Sequence, residues 1–214
     1  MSKVRAFPTV SLDGFMAGPN QSEENPLGEG GEELHEWMLR LKVWREAHGY
    51  EGGASGESSH VAEEMTANVG AGVMGRKMFG PIGGGDWGDG AWRGWWGDEP
   101  PFHTPVFVLT HHPREPLHME GGTTFHFVTD GLESALGHAR EVAAGKDIAV
   151  HGGASTIRQV LAAGHLDELA LNIVPILLGS GERPLDDLGP NPPRLELERT
   201  IAAPNVTHLK YRVG

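Results

Sequence analysis

The strongest chemical signal in the chain is His151-Gly152-Gly153-Ala154-Ser155-Thr156. The apolar run Ile148-Ala149-Val150 leads into it, and a helical pattern from Ala154 to Ala163 follows. Two glycines therefore stand where a buried strand opens into a helix. A helix N-terminus offers unpaired N–H groups and a partial positive charge. Glycines let the backbone approach a phosphate closely, and Ser155 or Thr156 can add a hydroxyl donor. An ordinary strand-to-helix turn with Ser155 as its cap explains the same residues, and the local sequence leaves both readings open.

Val73-Met74-Gly75-Arg76-Lys77 repeats the logic: strand, glycine, then two bases at a helix start. Arg and Lys there suit a phosphate ligand, although two solvated bases would read the same way. Thr110-His111-His112-Pro113-Arg114 adds a third polar loop after the strand 105–109. In a parallel sheet such loops gather at the carboxyl ends of the strands, where ligands bind. Three of them make a dinucleotide site the expected chemistry.

Other chemistries find less support. Gly83-Gly84-Gly85-Asp86-Trp87-Gly88 formally matches G-x-G-x-x-G but neither follows a strand nor opens a helix. There is no G-x-x-x-x-G-K-[ST] and no G-x-S-x-G. The chain has 12 histidines but no H-E-x-x-H, and the adjacent His111 and His112 would point apart on a strand. No metal is expected, and His151 reads as a pocket wall. Trp87, Trp92, Trp95 and Trp96 fall within one glycine-rich segment. They suit an aromatic platform for a flat substrate, a loop pinned by large side chains, or a subunit contact.

The elements that must position these loops alternate. Residues 3–11 read as a first strand, with a bulge or an irregular end at Pro8. Helical patterns over 31–47 and 57–68 follow, the first with Leu34, Trp37, Met38, Leu41 and Trp44 in one stripe. Residues 49–59, rich in Gly, Ser and Glu, read as a mobile loop. Strands are expected over 71–75, 105–109, 124–128, 147–151 and 168–178. A helix is expected over 132–144, with Asp130 and Glu133 at capping-box spacing and Gly145 as its C′ residue. Leu195, Leu197, Leu209, Tyr211 and Val213 alternate with charged residues around Ala203-Pro204-Asn205, which predicts an antiparallel hairpin. The whole reads as one α/β domain over 1–214, a mixed, mainly parallel sheet with helices on both faces.

Composition bounds the function classes. The 214 residues carry 29 acids against 17 bases, a net charge of −12, with 12 acids and 5 bases in residues 1–70. Nucleic acid and anionic membrane surfaces are poor partners for such a chain. The absence of cysteine excludes disulfides and thiolate chemistry. No apolar run approaches the ~20 residues of a membrane span. The N-terminus alternates like a strand and lacks a signal pattern, so a cytoplasmic location is expected. Glycine, 32 residues, is roughly twice its average usage, clustered between periodic segments as in a loop-rich enzyme.

The loops, in their order, resemble the dihydrofolate reductase-like family. They are most similar to its branch of riboflavin-biosynthesis C-terminal reductase domains and stand-alone reductase-like proteins. The resemblance is carried by Val10-Ser11-Leu12-Asp13-Gly14, Met74-Gly75-Arg76-Lys77-Met78-Phe79, Gly152-Gly153-Ala154-Ser155-Thr156-Ile157 and Pro175-Ile176-Leu177-Leu178-Gly179-Ser180-Gly181. It implies a three-layer α/β/α fold, NADPH as hydride donor and a homodimer. By this resemblance Gly75 and Arg76 contact the phosphate region, Arg76 near the 2′-phosphate, and Lys77 and Met78 lie at the pyrophosphate side. Thr110 and His111 flank the adenosine end. Gly152 and Gly153 are the family's glycine pair, often cis, with Ala154, Ser155 and Thr156 on the pyrophosphate. Asp13 and Gly14 begin the loop over the nicotinamide, and Asp13 is the expected catalytic pocket residue. Dihydrofolate reductases also place a carboxylate on their first long helix, for which Glu32, Glu33 and Glu36 are available here. The implied activity is NADPH-dependent reduction of a small heterocycle, resembling either dihydrofolate reductase or 5-amino-6-(5-phosphoribosylamino)uracil reductase. A nucleotide-binding protein that keeps the fold without the chemistry is the alternative.

Overall fold

The computed structural model describes residues 2–83, 85–88 and 90–214. Its ten strands are β1 (Val4–Ala6), β2 (Thr9–Ser11), β3 (Val69–Gly75), β4 (Pro105–Leu109), β5 (Leu117–His118), β6 (Thr124–Val128), β7 (Asp147–Gly152), β8 (Glu168–Val174), β9 (Leu195–Ala203) and β10 (Val206–Val213). They form one sheet in the order β5-β6-β4-β3-β7-β1-β8-β10-β9, with β2 also on β8. The six strands from β6 to β8 in that order, and β2, pair in parallel. Only β5, β9 and β10 join antiparallel. The carboxyl ends of β2, β3, β4, β6, β7 and β8 therefore share one rim. Where a bulge or irregular end was expected at Pro8, the first strand is divided in two. β1 pairs with β7 and β8, and after the break at Phe7-Pro8 the chain continues along β8 as β2.

Alternation along the strands sorts the two faces. Ala71, Val73, Phe107, Ile148, Val150 and Leu169 bury one face under α5 (Leu132–Val142) and α6 (Ala154–Ala162), which present Ala135, Leu136, Ala139, Ile157, Val160 and Leu161. The other face carries two smaller clusters. Met74, Val106, Val108 and Phe125 lie with Phe79 of α4 (Arg76–Phe79) under the tryptophan-rich segment. Val174 and Val206 lie under Leu34, Trp37 and Leu41.

The helix expected over 31–47 is three pieces: a 3₁₀ turn over Gly31–His35, α1 (Glu36–Leu39) and α2 (Lys42–Ala47). Its stripe survives in part: Leu34 and Trp37 are buried in the first two pieces and Leu41 at the N-cap of α2, while α2 itself buries no residue. α3 (Glu57–Thr66) follows, and the 49–59 loop before it is tied by a parallel bridge of Ala54 to Leu41. Two further expectations are corrected. The N-cap of α5 is Gly131, which makes no side-chain cap bond; Asp130 accepts from Thr129, and Glu133 reaches His165. The strand from 168 ends at Val174, before Pro175.

Between the two clusters of the second face the sheet is polar. Arg5, 6% exposed, donates through Nε to Glu168 Oε1 at 3.1 Å and bonds the carbonyls of Glu64 and Ala67. Asp147 lies 3.4 Å from its Nη1, and Lys210 Nζ reaches Glu168 at 3.1 Å. The network joins β1, β7, β8, β10 and the end of α3. Beside it, His208 on β10 donates from Nδ1 to Asn172 Oδ1 at 2.7 Å and accepts at Nε2 from Ser58 Oγ at 2.9 Å, so the neutral ring latches α3 to β8.

Breaking a buried ion pair leaves an uncompensated charge, a cost of about 3–5 kcal/mol. Arg5→Ala is expected to lose stability in that range by urea unfolding, and Arg5→Met with Glu168→Leu to recover much of it. Burial, then the charge of Arg199, holds His208 down to about 4, and burial does the same to His151, against 6.5 for a free imidazole. The unfolded chain binds more protons between those values, so stability should rise with pH from about 4 to 6.5 and then level. Urea midpoints across that range measure the slope, which His208→Gln should reduce.

Candidate functional site

The segments after β2 and β3 come, through Met16 and Met78, beside Gly152 and Gly153, which end β7 and cap α6 and are joined by a cis peptide. Gly152 has φ +117°, a conformation open to glycine and strained for other residues. A Cβ there would meet Met78 Sδ at 3.3 Å and Met16 Cε at 3.4 Å. A Cβ at Gly153 would meet nothing within 4 Å. The chain thus leaves a backbone cradle open at the start of a nine-residue helix whose N-cap makes no side-chain bond. Among the expected helix-start residues, Ser155 is exposed and accepts from Gln159, while Ala154 is buried. Thr156 turns the other way: it is 3% exposed and its hydroxyl lies where a side chain on Gly75 would begin.

The 12–17 and 176–182 loops form one wall. Asp13 Oδ1 accepts from Ser11 Oγ at 2.5 Å and from Leu178 N at 3.1 Å, and Oδ2 accepts from Gly179 N at 2.7 Å. The Ser11 hydroxyl and these backbone amides hold the carboxyl down to about 2. Asp13, the expected catalytic pocket residue, thus also clamps the Leu178-Gly179 backbone. Met16 and Ala17 bond to Glu182 in a short antiparallel bridge, and Lys77 Nζ reaches Glu182 Oε1 at 3.4 Å across the mouth. Gly18–Gln21, Lys77, Ile82 and Glu182 line a cavity of about 360 Å³ there.

The other expected residues lie along the rim. Arg76 folds back over α4, bonding the carbonyls of Gly80 and Pro81. Thr110 spends its hydroxyl on its own turn, accepting from His112 N at 3.1 Å, and His111 is exposed. The four tryptophans are half-buried by their own chain: Trp87, Trp92 and Trp96 pack on the Phe79 and Phe125 cluster, and Trp95 meets Trp92 edge-on at 4.5 Å. Gly84, within the formal glycine motif, lies outside the described residues. His151 sits against Phe102 at 4.5 Å with Nε2 buried and unpartnered.

The first helical pieces present no carboxylate inward. Glu32, Glu33 and Glu36 are all exposed, and the inward position is held by Trp37. Its indole Nε1 and the Asn172 amide nitrogen are both buried without a partner, and both residues contact His208. The sequence reading missed Met16, Asn172 and Glu182. Met16 stands two residues beyond the quoted Val10–Gly14 segment, and the other two carry no local signal. No group of three His, Asp or Glu among the described residues could hold a metal ion, and none of their helices is long and apolar enough to cross a membrane.

No curated protein matches the sequence. Solved structures do match in fold. A Shewanella sp. PV-4 protein named for riboflavin biosynthesis superposes with a TM-score of 0.65 at 20% identity over 99% of both chains. A Thermotoga maritima diaminohydroxyphosphoribosylaminopyrimidine deaminase/5-amino-6-(5-phosphoribosylamino)uracil reductase gives 0.56 at 11% identity, over 100% of this chain and 57% of that one. An Enterococcus faecalis dihydrofolate reductase, solved with NADP(H), gives 0.51 at 13% identity over 99% and 96%. The three-layer dihydrofolate reductase-like fold is thus established. The family model described as RibD C-terminal domain matches residues 2–209, from before β1 into β10, and this chain belongs to that family.

Proposed function

We propose that this protein is an NADPH-dependent reductase of a small, flat heterocycle. The observation that carries the reading is the open cradle at Gly153, placed where α6 begins and where the parallel strands end. A pyrophosphate fits there because helix-start N–H groups and bare backbone recognise phosphate. Arg76 fits a 2′-phosphate through two buried nitrogens, Nε and Nη2, that have no partner in the chain. Support also comes from the neighbours, one a reductase by name and one solved with NADP(H). NADPH would supply the hydride. The chain's own part is to hold the cofactor between Gly153 and the Met16–Met78 side, to fix the Asp13-clamped wall, and to exclude water.

The missing inward carboxylate separates this site from a folate-type pocket. It also favours a second reading, a nucleotide-binding protein without turnover. NADPH oxidation across pterin, pyrimidine and quinone-like substrates decides between them. We also read the chain as a homodimer. The tryptophans are covered within the chain, so the contact is assigned to β9, an exposed edge strand carrying Leu195 and Leu197.

Gly153→Val should fold with an unchanged melting temperature, since its Cβ meets no protein atom, yet lose NADPH binding. Arg76→Ala should weaken NADPH by about 1.5–3 kcal/mol, one to two decades in affinity, and NADH much less. Unchanged NADPH affinity in folded Gly153→Val rejects the cradle. Sedimentation at micromolar concentration should give about twice the 23.0 kDa chain mass, and Leu197→Lys should shift it toward monomer.

A further inference from the structure

Ser58, His208 and Asn172 come from three elements, α3, β10 and β8, and bond in sequence. The Ser58 hydroxyl donates to His208 Nε2 at 2.9 Å, and His208 Nδ1 donates to Asn172 Oδ1 at 2.7 Å. A hydroxyl, an imidazole and an orienting acceptor in this order are the parts of an activated nucleophile. The base lies within reach of the hydroxyl proton, and the third group fixes which ring nitrogen carries hydrogen. Here Nδ1 carries it, so Nε2 is free to take a proton. Burial, then the charge of Arg199, keeps the ring neutral. His208 and Asn172 face each other across the β10–β8 ladder, and Trp37 packs edge-on against the ring at 5.0 Å.

One end of this chain of bonds is accessible. His208 and Asn172 are buried, whereas Ser58 is part-exposed. It is the second residue of α3, a ten-residue helix whose N-cap, Gly56, makes no side-chain bond. Ser59 N bonds the Gly56 carbonyl at 2.9 Å, while among the described residues the amides of Glu57 and Ser58 donate to no carbonyl. A Cβ on Gly56 would meet nothing within 4 Å, so open space adjoins the start of the helix. Ser59 shows the ordinary use of a hydroxyl in this turn, donating to the Ala54 carbonyl at 3.3 Å. Tying α3 to the sheet needs one hydrogen bond. It does not need an exposed hydroxyl set on an unprotonated, oriented imidazole.

We propose that Ser58 is the nucleophile of a second site, an acyl-transfer site for small activated esters, with His208 as its general base and Asn172 as a positioning residue. The site uses none of the residues at the Gly153 cradle and does not rest on the cofactor reading. Ser58 Oγ bonds to the ester carbonyl carbon as its proton passes to His208 Nε2. The carbonyl oxygen takes up the negative charge, and the amides of Glu57 and Ser58 are the donors at hand for it. On collapse the bond to the leaving oxygen breaks, that oxygen takes the proton from Nε2, and the acyl group stays on Ser58. A water then gives a proton to Nε2 and attacks the acyl carbon. Release of the carboxylic acid returns the proton to Ser58. Asn172 is neutral and adds no charge to steady the imidazolium, and Arg199 opposes it. The site is therefore limited to aryl esters and others with good leaving groups.

A fluorophosphonate tests the nucleophile directly on the full chain. Ser58 Oγ displaces fluoride from phosphorus, and the proton passes to Nε2. Peptide mass spectrometry should find the adduct on Ser58 and not on Ser55 or Ser59. His208→Gln should slow labelling about a hundredfold or more, the usual worth of a general base. Asn172→Asp, which sets a charge behind the imidazole, should speed it several-fold. Turnover of p-nitrophenyl acetate should fall about tenfold or more in Ser58→Ala. A latch with no chemistry leaves Ser58 unlabelled, or labelled equally fast in folded His208→Gln, and either result overturns the inference. Undiminished turnover in Ser58→Ala overturns it as well. Should His208→Gln not fold, Asn172→Asp decides, with faster labelling supporting the site and an unchanged rate rejecting it.

Discussion

The seam between β3 and β7 has no room for a side chain at Gly72 or Gly75 of β3, and the candidate site depends on that constraint. A Cβ on Gly72 would lie 2.7 Å from Cδ2 of His151, and one on Gly75 would collide with the hydroxyl of Thr156. Bare backbone at these two positions lets the end of β7 and the first turn of α6 settle against β3. That settling brings Met78, just beyond β3, to the glycine pair just beyond β7. Any side chain at residue 75 would push α6 outward and part the two loops that shape the cradle. The close approach is a packing demand in its own right, apart from any ligand.

Opposite faces of the same sheet do different work. Under α5 and α6 the strands bury Ala, Val, Ile and Leu, and that face is the larger apolar core. The second face divides into two apolar clusters flanking a polar strip of Arg5, Glu168, Asn172, His208 and Lys210. Charged groups held this far from water are tolerable when each is answered by several partners. Arg5 is answered by two carboxylates and two carbonyls. The strip fixes α3 over the sheet, and Trp37 packs edge-on against His208 at 5.0 Å. The inward position of the first helical pieces is held by Trp37, whose indole Nε1 is buried without a partner.

The tryptophans show how one composition serves several architectures. Four large rings among glycines suggested a platform or a subunit contact. As in the third reading, a loop pinned by large side chains, they cover the Met74, Val106 and Phe125 cluster on the face of β3, β4 and β6 opposite α5. Trp87 does this while also fixing two arginines at the rim, so covering the core and arranging charge are joined in one side chain.

Much was legible in the residue order. The runs 105–109 and 124–128 are strands to the residue, the hairpin follows its alternation, and α4 begins at Arg76 as its glycine predicts. Apolar period and β-branched content fix which face of a segment is buried, and that information is local. Direction and partnership are not local. Asp13 takes its amides from residues 178 and 179, and His208 takes Ser58 and Asn172 from two other elements. Glu133, three residues from Asp130, prefers His165 to a capping box because a left-handed glycine at 131 already starts the helix. Arg76 stands at the rim as its motif implies, but its guanidinium lies against a ring eleven positions on. A charged side chain takes whichever partner strand order and loop packing bring within about 3 Å. That choice is settled only when segments distant in the chain meet.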